Sequence, residues 1–99
     1  MIVITGRIWT DPQTLPTLYA RLKELVEPSR SEDGCLFYHM AMEDEGEGII
    51  LATEGWRDRE ALDRHLALPP IQRLLDDFAG RFSNDVQLHE VSATERLTA

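Results

Sequence analysis

A single cysteine, Cys35, is the only thiol in this 99-residue chain. No disulfide can close within it and no multi-cysteine metal site exists, which fits a reducing compartment. Basic residues are also scarce: ten Lys and Arg stand against eighteen Asp and Glu, a formal charge of −8. Such a balance argues against docking onto phosphate backbones or anionic lipid, so neither nucleic acid nor a membrane is expected as a partner. No uninterrupted apolar run reaches the roughly 18 residues of a spanning helix. The chain opens directly on Met1-Ile2-Val3-Ile4, without a basic leader or cleavage site, and the expected location is cytoplasmic. Internal repeats, a glycine-rich phosphate loop and an HExxH pair are all missing.

What is present suits one globular domain over residues 1–99, with 42% hydrophobic residues and a polar tail from about residue 93. Ile2 to Trp9 is β-branched and apolar and reads as a strand. Asp11-Pro12 offers a cap and a first-turn proline, and Leu15, Leu18, Tyr19, Leu22, Leu25 and Val26 then recur at helical spacing up to Glu27-Pro28. Ser29 to Gly34 reads as a polar turn, and Cys35 to Glu43 as a second strand, with Leu36, Tyr38, Met40 and Met42 on one face and Cys35, Phe37, His39 and Ala41 on the other. The acidic turn Glu43 to Gly48 leads into a third strand, Ile49 to Trp56. Asp58 caps a second helix running to about Leu68. Pro69-Pro70 interrupts it, and Ile71, Leu74, Leu75, Phe78 and Phe82 continue one helical face. Val86 to Val91 reads as the last strand.

The order βαββαβ predicts an α+β, ferredoxin-like fold: an antiparallel four-stranded sheet with helices on one face. Right-handed crossovers place strand one beside strand three and leave strands two and four at the edges. The other sheet face would expose more apolar surface than monomers usually carry, so a homodimer through that open face is expected.

Two stretches, Ser29-Arg30-Ser-Glu-Asp-Gly34-Cys35-Leu36-Phe-Tyr38 and Glu54-Gly-Trp56-Arg-Asp58-Arg-Glu-Ala61-Leu62-Asp-Arg-His65, together resemble the antibiotic biosynthesis monooxygenase family. The likeness in order and spacing runs from the first strand to about Phe78. It implies a dimeric α+β barrel, each subunit holding a pocket between sheet and helices. Characterised members include oxygenases that act on quinol- or anthrone-like aromatics with no metal or organic cofactor, haem-degrading enzymes, and an isomerase of a signal molecule. The haem-degrading members carry an asparagine, a tryptophan and a histidine where this chain has Gly6, His65 and roughly Leu75, a departure that argues against haem as substrate.

Residues with chemistry to offer cluster around the second motif. His65 follows Ala61 and Leu62 by four and three residues and so shares the helix face that packs on the sheet. It reads either as a general base or as a core histidine held by Glu54 or a backbone carbonyl. Trp56 and Glu54, two apart, share a strand face. Trp56 would wall an aromatic ring or close the core. Glu54 would contact substrate or pair with Arg30 or Arg7. Tyr38 is a candidate hydrogen-bond donor, and Met40, Phe78 and Arg73 are candidate substrate contacts. His39, His65 and His89 show no metal-ligand spacing.

The expected activity is oxidation of a small phenol-, quinol- or anthrone-like aromatic by O2, with no cofactor. The alternatives are a cofactor-free isomerase or degradative enzyme, and a ligand-binding or stress-associated module without turnover.

Overall fold

A computed structural model describes residues 1–98. The elements run β1 (Ile2–Thr10), α1 (Leu15–Glu24), α2 (Val26–Arg30), β2 (Cys35–Asp44), β3 (Ile49–Trp56), α3 (Arg59–Leu66), α4 (Pro69–Asp77) and β4 (Phe82–Glu90). The four strands form one antiparallel sheet in the order β2-β3-β1-β4, the ferredoxin-like arrangement with helices on one face. Among the described residues no helix is long and apolar enough to cross a membrane.

Local chemistry sets the helix starts. The Asp11 carboxylate accepts from the backbone N–H of Thr14 at 2.8 Å and its hydroxyl at 2.7 Å. It therefore caps a turn, and α1 itself begins at Leu15 with Pro16 in its first turn, later than Asp11-Pro12 suggested. Asp58 accepts from the Ala61 N–H at 2.9 Å and starts α3. Pro69 and Pro70 open α4 rather than kink a longer helix, because the first turn leaves their missing N–H groups without a partner to lose. Part of the predicted polar turn after Pro28 is the short helix α2.

Two register effects depart from the sequence pattern. Phe82 begins β4 opposite Thr10 and does not extend the helical face, so that strand starts four residues before Val86. In β2 the pairing steps from Cys35↔Trp56 to Phe37↔Gly55, so Leu36 is an extra, bulged residue and is 53% exposed. The bulge turns Cys35 toward the helices and removes Leu36 from the set it was expected to share with Tyr38, Met40 and Met42.

Between this bulge and a second register shift at Met42/Asp44 the alternation is regular. Ile2, Tyr38, Met40, Ile50, Ala52 and Trp56 are buried beneath Leu15, Leu18, Leu22, Ala61, Leu62, Leu74 and Phe78 of the helices or their ends. The opposite face presents Phe37, His39, Leu51, Thr53, Thr5 and Trp9 without helical cover. There the Phe37 ring lies over Gly55, where a Cβ would collide with it. Gly48, with φ +72°, closes the acidic turn against the Thr10 carbonyl in a space no side chain fits.

Candidate active site

Between the helix layer and the β1–β4 half of the sheet lies a cavity of about 380 Å³. Its apolar wall comes from Ile4, Leu22, Met40, Leu62, Ile71 and Leu74 among others, and its polar lining is Tyr38, Glu54, His65, Arg59 and Asn84. The inward residues of β4 (Phe82, Asn84, Val86 and Leu88) line the cavity and are only partly covered or exposed.

Three aromatic rings converge at one end. His65, only 2% exposed, stacks obliquely on Trp56 with ring centroids 4.6 Å apart and meets the edge of Tyr38 at 5.4 Å. Tyr38 and Trp56 are themselves edge-to-face at 6.5 Å. Such pairs contribute about 0.5–1.5 kcal/mol each beyond burial, so the imidazole is held firmly. Its Nδ1 lies 2.8 Å from Oε2 of Glu32. A carboxylate has no proton to give, so Nδ1 carries the hydrogen and the Nε2 lone pair remains to accept one. The expected partners for His65, Glu54 or a backbone carbonyl, are replaced by this residue 33 positions away in the chain.

Glu54 accepts the Trp56 indole N–H at 3.0 Å. It pairs with neither Arg30 nor Arg7: Arg30 donates to the Tyr38 carbonyl and contacts His39, and Arg7 pairs with Glu43. Burial raises the Glu54 carboxyl above the ordinary carboxylate range, while the Trp56 hydrogen bond and the nearby His65 pull it partly back. Burial likewise pushes the Tyr38 hydroxyl well up, the Glu54 charge adds to this, and a hydrogen bond with Ser29 opposes it. Tyr38 therefore keeps its proton at any physiological pH and acts as a donor. Cys35 is raised too, by burial and by the charges of Glu32 and Glu54, so its thiol is a poor nucleophile.

The sequence candidates divide between this site and the surrounding fold. Tyr38, Met40, Glu54 and His65 line the cavity together. Trp56 is completely buried directly behind His65 and holds Glu54. Phe78 is 3% exposed in the core. Arg73 opens onto a separate depression between α1 and α4, with Arg21, Glu24 and Pro70. Glu32 was missed because it sits in a polar loop whose spacing says nothing about His65. Arg59 was missed although a signal existed, since it precedes Leu62 by three residues and Leu66 by seven and so shares their stripe.

Comparison with known proteins places this geometry. Residues 1–76 match the family described as antibiotic biosynthesis monooxygenase. The chain belongs to that family. A Mycobacterium tuberculosis relative named "putative monooxygenase Rv0793" is 32% identical over 68 residues, 69% of this chain and 66% of that protein. The uncharacterized protein sll1783 of Synechocystis is 28% identical over 98 residues, 97% of this chain and 67% of that protein. The chain thus spans about two thirds of each relative's length. Among solved structures, one from Deinococcus radiodurans described as a "putative antibiotic biosynthesis monooxygenase" superposes with a TM-score of 0.88 at 24% identity, over the full length of both chains. This monooxygenase-family scaffold, with its helix-covered sheet and buried His-Trp-Tyr cluster, is the frame for the chemistry below.

Proposed function

We propose that this protein is a cofactor-independent monooxygenase that oxidises a small aromatic molecule of the phenol, quinol or anthrone type with O2. The observation that carries the reading is His65: a buried imidazole fixed by Glu32 that lines an otherwise largely apolar cavity together with Tyr38 and Glu54. Such a substrate needs a base and a dry site, because its carbanion or phenolate supplies the electrons for oxygen itself.

For an anthrone-like CH2 group, Nε2 of His65 removes one C–H proton. The carbanion passes electrons to O2 and a carbon–oxygen bond forms. The resulting peroxide takes the proton back from the imidazolium. Loss of the second C–H proton with cleavage of the O–O bond then gives the ketone and one water. Glu32 stabilises the imidazolium by a charge-assisted bond, protonated Tyr38 donates toward the substrate oxygen, and Trp56 backs the imidazole. Met40 and the aliphatic wall exclude water, and Glu54, its carboxyl raised by burial, accepts or returns protons. Two chains pairing through the uncovered face that bears Phe37, Leu51 and Trp9 would form the barrel, leaving one such cavity in each subunit.

The test is oxygen uptake with anthrone, quinol and naphthol compounds, without added metal or organic cofactor. Wild type should consume O2 and release the ketone or quinone. His65→Ala should lose roughly 10²–10⁴-fold of the rate, the usual contribution of a positioned base, while its circular dichroism is unchanged. Undiminished uptake by His65→Ala overturns the assignment. Conversion of carbonyl compounds without O2 uptake indicates the isomerase class instead, and thermal stabilisation by aromatics without turnover indicates a binding module.

A further inference from the structure

Arg59 is the one arginine among the residues that line the cavity, in a chain whose formal charge is −8. Arg59, Leu62 and Leu66 follow one another at three- and four-residue spacing along α3, so the guanidinium stands on the same stripe as the apolar wall. The lining's one carboxylate, Glu54, accepts from Trp56 and lies near His65. The lining therefore carries one cationic residue, at the start of α3, and an acid–base cluster around His65, one helix length further along.

Six residues separate Arg59 from His65, a rise of about 9 Å along a helix, comparable to the length of a bicyclic aromatic carrying one substituent. Arg59 has a partner in Asp63 at 3.1 Å, but both side chains are more than half exposed. Exposed pairs of this kind contribute little and are readily exchanged for a better acceptor. A carboxylate matches the planar guanidinium fork by two parallel hydrogen bonds, with the apolar wall shielding one side.

We infer that Arg59 is a specificity residue selecting an aromatic substrate that bears a carboxylate, held at the α3 N-terminal end of the cavity with its reactive position toward His65. This rests on the reading of the cavity as an aromatic site, and it is tested by binding alone, so that turnover does not enter. Isothermal titration with 2-naphthoate and with the neutral 2-naphthamide compares the two in one protein. Wild type should bind the carboxylate about three- to tenfold more tightly, the range of a partly shielded charge pair. Arg59→Gln should erase that preference, read as the ratio of the two affinities in the same protein. Arg64→Gln, which removes the same charge from the exposed side of the same helix, should keep it. Equal binding of both probes by wild type, or a preference surviving in Arg59→Gln, overturns the assignment and leaves the cavity reading standing. Failure of wild type to bind either probe overturns the cavity reading, and this inference with it.

Discussion

Trp56→Phe isolates the bond that sets the proton affinity of Glu54. Alanine is too blunt at this position. Emptying a fully buried tryptophan costs about 3–5 kcal/mol, a large share of the roughly 5–15 kcal/mol that holds a domain of this size together. Phenylalanine keeps a ring against His65 and Tyr38 and removes the indole N–H that Glu54 accepts at 3.0 Å.

The loss divides into two parts. Poorer packing is the same at every pH. The hydrogen-bond part is not: a bond to a charged group is worth about 1.5–3 kcal/mol and a neutral one about 0.5–1.5. The sign follows from linkage. Glu54 in the folded protein already lies above its unfolded value because of burial, and losing the Trp56 donor raises it further. Near pH 4 the folded carboxyl is protonated in both proteins and the variant loses a neutral bond. Once pH exceeds the raised folded value the carboxyl is charged and the variant loses a charged bond, so the destabilisation should be larger at pH 9 than at pH 4, by up to about 1 kcal/mol. With a urea slope of about 1–3 kcal/mol per molar, the extra displacement of the midpoint is roughly 0.3–1 M, readable by far-ultraviolet circular dichroism. Equal displacement at pH 4 and pH 9 would refute the argument, because the bond would then have no bearing on the charge of Glu54.

Four further outcomes follow from the same geometry. Glu54→Gln keeps an acceptor for the indole and removes a buried charge. It should be more stable than wild type at pH 9, the advantage vanishing as pH falls through the ordinary carboxylate range, as urea titrations at both pH values would show. Gly48→Ala should lose more than the roughly 1–2 kcal/mol of a left-handed backbone, because its Cβ also meets the Thr10 carbonyl. Gly46→Ala, with an open position, should stay within about 0.5 kcal/mol, both measured by thermal melts. Absorbance at 295 nm should show no more than one of the two tyrosines ionising near pH 10 before unfolding, since Tyr38 is held protonated. Cys35 should react with a disulfide reagent far more slowly in the folded chain than in urea.

Periodicity and turn chemistry carried most of the architecture. Alternating Ile, Val and Thr, the Asp58 cap, the acidic glycine turn and the helical spacing of Leu15, Leu18 and Leu22 are local signals, and together with crossover handedness they lead to the order β2-β3-β1-β4. Where they misled, a neighbour overrode the pattern. Phe82 fits a helical stripe, yet pairing with Thr10 draws it into β4. Leu36 fits an alternating strand, yet a bulge opposite Trp56 ejects it.

The candidate site was legible only in part, because spacing reports which residues share a face and not what lies across from them. His65 could be placed on the inward face of its helix, whereas Tyr38 with Met40 and Glu54 with Trp56 could only be paired on strand faces whose direction stayed open; in the fold Tyr38, Met40, Glu54 and His65 line one cavity. Glu32 could not be placed, since its tie to His65 joins a loop to a helix 33 residues away. Short-range chemistry, acting within a turn of helix or a pair of strand residues, was enough to specify the elements and their order. Folding alone, by packing distant segments together, chose the acceptor for the indole, the carboxylate for the imidazole and the set of residues that lines the cavity. Those choices depend on distances through space, which no local pattern encodes.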